Sequence, residues 1–256
     1  MNRFKEVINL KLENFLEKRL DISSIEDKKI VEVFKEYEKS GKKKINIKLP
    51  SYTLAEELIN SITHGIGALF SILCLILMVV KASGLKEEVC VSLFGASMIV
   101  LYTMSTIYHA LSKNLEGKKI LRVLDHSNVY LLVYGTYIPI SLLGVGDKLG
   151  WILFSFVSFI TLVGIVLTCI KIDKFQVLEV VCHLLNGWSI LIGINKIINN
   201  MGKIGLIYLL LGGIMYTLGS ILYGIGSNKK YMHSIFHIFC LLGTMFHFFA
   251  IYFCLL

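Results

Sequence analysis

Charge is scarce in this chain, and what there is sits unevenly. Asp, Glu, Lys and Arg make up 17% of its 256 residues, against roughly 25% in a soluble domain. Half of that charge falls in the first fifty positions, where thirteen of the 26 basic residues are mixed with nine acids. Hydrophobic residues reach 55% and the mean hydropathy is +0.70. So little charge over so much apolar sequence excludes a soluble domain and points to an integral membrane protein. The net charge of +8 does not describe a nucleic-acid surface either. Beyond residue 50 most basic residues stand in short loops between apolar runs, where they set membrane orientation.

Three further absences narrow the class. The six cysteines (74, 90, 169, 182, 240 and 254) lie in or beside apolar runs and none form C-x-x-C. This argues against a disulfide framework or a thiolate metal site and leaves them as small buried hydrophobes. No apolar core lies close to the N-terminus, so a cleaved signal peptide is not expected; the first apolar run serves as an uncleaved anchor. No strand-like alternation extends as far as the apolar runs do.

Seven apolar runs are present, near 62–80, 89–111, 123–144, 149–170, 176–195, 204–225 and 232–256. Each approaches the ~20 residues that a spanning helix requires, and the short loops make neighbours antiparallel. The expected fold is all-α: a bundle of seven transmembrane helices over residues 51–256. Residues 1–50 form a separate extension. There "RFKEVINLKLENFLEKRL" and "SSIEDKKIVEVFKEYEKSGKKK" place apolar residues at helical spacing, which predicts two amphipathic helices lying on the membrane surface or on the cytoplasmic face, or serving only as a tether. With the N-terminus inside, the inner loops carry eight basic residues and the outer loops five. The expected N-terminus is therefore cytoplasmic, and the richness in Lys, Ile and Asn, as in an AT-rich bacterial genome, makes the plasma membrane, multi-pass, the expected location.

On this topology the ionisable residues gather at one depth. His109 ends the second run, Asp125 and His126 open the third, and His233 and His237 open the seventh. Glu57, Asn60 and His64 stand at the start of the first. His233 and His237 are i, i+4 and share a helix face, as do Ser105 and His109. Three histidines with an open fourth position make a catalytic zinc arrangement. A nearby carboxylate, Asp125, can accept a proton from water whose pKa the metal lowers to about 7. Interhelical hydrogen bonding by each histidine is the competing reading. His126 points about 100° away from Asp125 and is set aside as a ligand. His64 is assigned a structural role with Asn60 and Glu57. His247, ten residues past His237, stands about 15 Å deeper and is expected to bond between helices. Glu179 and His183 are expected to pair locally.

Four blocks carry a resemblance: "EELINSITHGIGA" (56–68), "STIYHAL" (105–111), "LDHSNVYLLVYGTYIP" (124–139) and "HSIFHIFCLLGTMFHF" (233–248). In this order they resemble the signature blocks of the hemolysin III family, within the progestin and adipoQ receptor group. The resemblance implies seven helices, a cytoplasmic N-terminus and a Zn2+ site near the cytoplasmic side. By motif the ligands would be His109, His233 and His237. Asp125 would bind directly or hold a zinc-bound water, and Ser105 would support the site. Alkaline ceramidases in the wider superfamily share this set and hydrolyse lipid amides, so a metal-dependent lipid amidase is the mechanistic analogy.

Three functions follow as expectations. The first is a membrane-embedded zinc hydrolase of a lipid acyl amide, with Asp125 and Ser105 catalytic, a membrane lipid acyl chain in a cavity of the bundle, and a part in lipid homeostasis. The second is a cytolysin or pore, as the family name suggests, which calls for a polar stripe through whole helices. The third is a receptor or sensor whose zinc is structural. Oligomeric state is left open.

Overall fold

A computed structural model describes residues 47–256, apart from 114, 116, 173, 175, 227 and 228. The amphipathic helices expected over the N-terminal extension lie outside the described residues. Every regular element described is helical: α1 (Leu54–Lys81), α2 (Leu85–Ala110), α3 (Gly117–Pro139), α4 (Asp147–Lys171), α5 (Gln176–Trp188), α6 (Ile194–Gly226) and α7 (Met232–Cys254). Short helical turns extend α3 through Ile140–Val145 and join α5 to α6 through Ser189–Gly193.

Local chemistry sets the helix ends. Thr53 and Glu56 form a reciprocal capping box at the start of α1, which satisfies two N–H groups that the first turn leaves open. The other oxygen of Glu56 accepts the backbone N–H of Tyr231 at 2.7 Å, so one carboxylate ties the start of α1 to the start of α7. At Pro139 the ring removes a donor. The hydrogen-bond ladder then slips to the wider i, i+5 spacing over Ile140–Val145, closing with Gly146 N–H on the Ser141 carbonyl at 2.9 Å.

Six helical stretches among the described residues are long and apolar enough to cross a membrane. The expected fifth and sixth runs fall within one of them, the 48-residue stretch Val177–Gly224. The stretch is not straight. Gly202 has φ 71° and ψ 176°, a conformation open to glycine and strained for other residues. Trp188 Nε1 donates to Thr217 Oγ1 at 3.1 Å across 29 residues, whereas that many residues of straight helix would extend about 43 Å. The chain therefore doubles back, with Gly202 midway between the bonded pair.

Polar contacts mark two ends of the bundle. At one end Lys81 Nζ bonds the Tyr252 carbonyl, Lys86 Nζ the Leu142 carbonyl, Asn200 the Gly144 carbonyl, and Lys196 the Asp147 carboxylate. At the other, Glu57 meets His109 and Lys118, Glu56 meets Tyr231, and His126 meets Glu179. Between them lies an apolar core that includes Phe94, Met98, Leu132, Val157, Ile197 and Ile251. Large apolar side chains such as Leu69, Val80, Phe159 and Ile170 point outward, as a lipid solvent requires. All six cysteines are free.

Candidate metal centre

Two helix ends deliver the three histidines. His109 is the penultimate residue of α2, and His233 and His237 lie on the first turns of α7, one turn apart. All three are buried, and one ring nitrogen from each lies within 4.8 Å of the others. The expected grouping of these three side chains is thus present.

The nitrogens are also arranged correctly for a metal. His109 Nδ1 donates to Glu57 Oε2 at 2.7 Å, and His237 Nδ1 donates to the Asn60 carbonyl at 3.3 Å. In each ring the other nitrogen, Nε2, is then the lone-pair atom. His237 Nε2 faces His233 Nε2 at 3.1 Å. Two bare lone pairs at that distance repel, so a proton or a cation must lie between them. His109 Nε2 is buried with no protein partner, and a single cation would satisfy the three Nε2 atoms, while His233 Nδ1 has no protein partner. Zinc–imidazole bonds of about 2.0–2.1 Å place tetrahedral ligand nitrogens about 3.3 Å apart, close to the observed His233–His237 separation. The cluster could therefore hold a metal ion, and the donor set suits zinc.

Neighbouring rings fix the cluster. His64 stacks on His237 with centroids 3.6 Å apart and planes 11° apart; both its ring nitrogens are buried without a protein partner. Tyr52, in the extended segment before α1, stacks on His233 at 4.9 Å, and its carbonyl is held by Lys113 Nζ. Burial pushes the Tyr52 phenol well above its ordinary pKa, and the neighbouring Tyr108 and Tyr223 phenols and Asp125 add to the rise. The phenol stays neutral beside the imidazoles.

Asp125 and Ser105 are both buried. Asp125 lines a cavity of about 100 Å³ together with His233. Ser105 Oγ has no protein partner. The cavity continues past Val133, Trp188 and Phe236 to His247, and its wall is mostly apolar. His247 makes the expected interhelical bond, donating from Nε2 to the Leu209 carbonyl at 3.3 Å.

His126, set aside as a ligand, is no member of the histidine cluster; its Nδ1 pairs with Glu179 Oε1 at 3.2 Å. One expectation changes. Glu179 thereby reaches across to α3 instead of pairing along α5 with His183, which stacks on Tyr130 at 3.8 Å. Sequence reasoning also undervalued Glu57. The signal was its position on one face of α1 with Asn60 and His64, at i, i+3 and i+7.

Comparison with known proteins identifies the family. The profile of the family described as "Haemolysin-III related" matches residues 52–248. "Hemolysin-3" of Bacillus cereus is 34% identical over 201 residues, covering 77% of this chain and 91% of the relative. "Hemolysin-3 homolog" of Bacillus subtilis (strain 168) is 35% identical over 208 residues, covering 80% and 95%. Helices of this length, the match across both blocks that bear the clustered histidines, and two relatives matched over nearly their whole length lead to one conclusion: this chain is a multi-span membrane protein of the haemolysin-III related family, in the progestin and adipoQ receptor group.

Proposed function

We propose that this protein is a membrane-embedded, zinc-dependent hydrolase of a lipid acyl amide, acting in membrane lipid homeostasis. The observation that carries the reading is a cluster of three buried histidines, one of which, His233, lines a mostly apolar cavity together with the Asp125 carboxylate. His109, His233 and His237 would hold the metal. When bound, it would polarise a carbonyl and supply a nucleophile at neutral pH.

The chain's own groups would do the rest. The apolar wall beyond Asp125 would receive an acyl chain and keep bulk water from the reacting carbonyl. Asp125 would orient the attacking water and take its proton on a carboxylate oxygen, then return it to the departing amine. Ser105, one turn deeper than His109 on the same helix face, would donate its hydroxyl to the site. In this reading the Gly202 hairpin makes two crossings of the Val177–Gly224 stretch, giving seven in all. The N-terminus and the histidine cluster lie on the cytoplasmic side of the plasma membrane, as the Lys/Arg bias suggests.

Elemental mass spectrometry of detergent-purified protein tests the metal. About one zinc per chain is expected in the wild type, with none in His237→Ala. A well-folded wild type without zinc would end the hydrolase mechanism. Release of fatty acid from lipid amides by the zinc-loaded wild type, absent in Asp125→Asn, is the second step.

The names of both relatives favour another reading, a cytolysin. Leakage of dye from liposomes that persists after zinc is removed would support it over the hydrolase.

A further inference from the structure

Helix α1 contributes no histidine to the cluster, yet it touches two of the three. Its Asn60 carbonyl orients His237, and its Glu57 carboxylate orients His109. The second oxygen of Glu57 holds Lys118 Nζ at 2.7 Å. Lys118 is 2% exposed. Its ammonium also bonds the Leu111 carbonyl at 2.7 Å, at the C-terminus of α2, and lies 5.1 Å from the centre of the Tyr108 ring. Both partners of this ion pair are buried.

Such a pair is poor evidence for stability. Desolvating two charges costs about as much as their attraction returns, and a neutral pair of like shape often does as well. Its worth has to be sought elsewhere, and His109 supplies the place. A carboxylate accepting the distal N–H of a metal-binding imidazole fixes the tautomer, aims the free nitrogen and raises its basicity. We propose that Glu57 is a positioning residue of the metal centre and that Lys118 is its counter-charge. Lys118 holds the second oxygen of that carboxylate and ties it to the start of α3 and the end of α2. Glu57 sets how tightly His109 binds the metal. Lys118 acts through Glu57, its hydrogen bonds going to that carboxylate and to the Leu111 carbonyl.

This inference rests on the metal-centre reading above, and its test needs no turnover. Zinc affinity is measured by competition with a chromophoric chelator, beside the thermal melt of the metal-free protein. In Glu57→Gln/Lys118→Met both charges are removed together. The metal-free double variant is expected to melt near the wild type, while its zinc dissociation constant rises about 10–100-fold. Lys118→Met alone leaves the carboxylate on His109 and is expected to lower the melting temperature while keeping zinc affinity within a few-fold of wild type. Should the double variant not fold, Glu57→Gln alone, measured the same way, decides. A folded variant lacking the Glu57 carboxylate that binds zinc as tightly as the wild type overturns the proposal and leaves the metal centre standing. A wild type that binds no zinc overturns both.

Discussion

The two ends of the bundle use the same residue types for different ends. At the end away from the histidines, lysines close off the backbone. Lys81 and Lys86 bond helix-end carbonyls, and the Lys196–Asp147 pair is open to solvent. At the histidine end Lys118 is buried, and its partner carboxylate is shared with an imidazole. One end satisfies orphaned carbonyls wherever a flexible cation can reach them. The other holds charge in a buried place, where an ion pair adds little to stability. The lesson is that neither lysine count nor charge density locates function here; what a buried cation is bonded to does.

Substitutions can break that contrast. The largest effect is expected from His109→Ala, which should take zinc binding to background, as read by metal content, while the far end is untouched. Glu57→Gln/Lys118→Met comes next, with the 10–100-fold loss of affinity described above. Between the ends, Gly164→Val should change stability alone. A Cβ there would stand 2.2 Å from the Tyr130 ring, and overpacking of this kind costs about 1–3 kcal/mol, seen as a lower melting temperature in detergent. Tyr102→Phe removes a hydroxyl that meets Thr244 Oγ1 at 2.6 Å, for a loss of about 1 kcal/mol and unchanged zinc affinity. Lys196→Ala is the smallest: exposed pairs contribute little, and neither the melting temperature nor zinc binding should move. A far-end variant that altered zinc affinity would dissolve the comparison.

Much of this arrangement was legible in the sequence. The helical class followed from the lengths of the apolar runs. The three histidines followed from an i, i+4 pair and from the depth at which antiparallel neighbours place helix ends. Glu57 was harder, because Glu56 and Glu57 are adjacent and about 100° apart on a helix. One of them caps α1 and the other serves a histidine, and choosing between them needs the facing helix. Lys118 read as a loop charge because nothing local reveals that Glu57, 61 residues earlier, will be beside it. The pairing of His126 with Glu179 likewise depends on how α3 meets α5. Residues 196–201 read as a loop because they hold Lys196, Asn199 and Asn200. They are helical, and Lys196 and Asn200 find partners near the α3–α4 junction.

Gly202 offers a practical handle. A Cβ at this position would meet nothing within 4 Å, so the constraint there is the backbone angle alone. Few places in so apolar a chain could accept foreign sequence without disturbing a packed surface. A short epitope placed at that bend, flanked by glycines that keep the positive φ, would carry a reporter at the end opposite the histidines. Antibody staining of intact against permeabilised cells would then read which side of the membrane that bend faces.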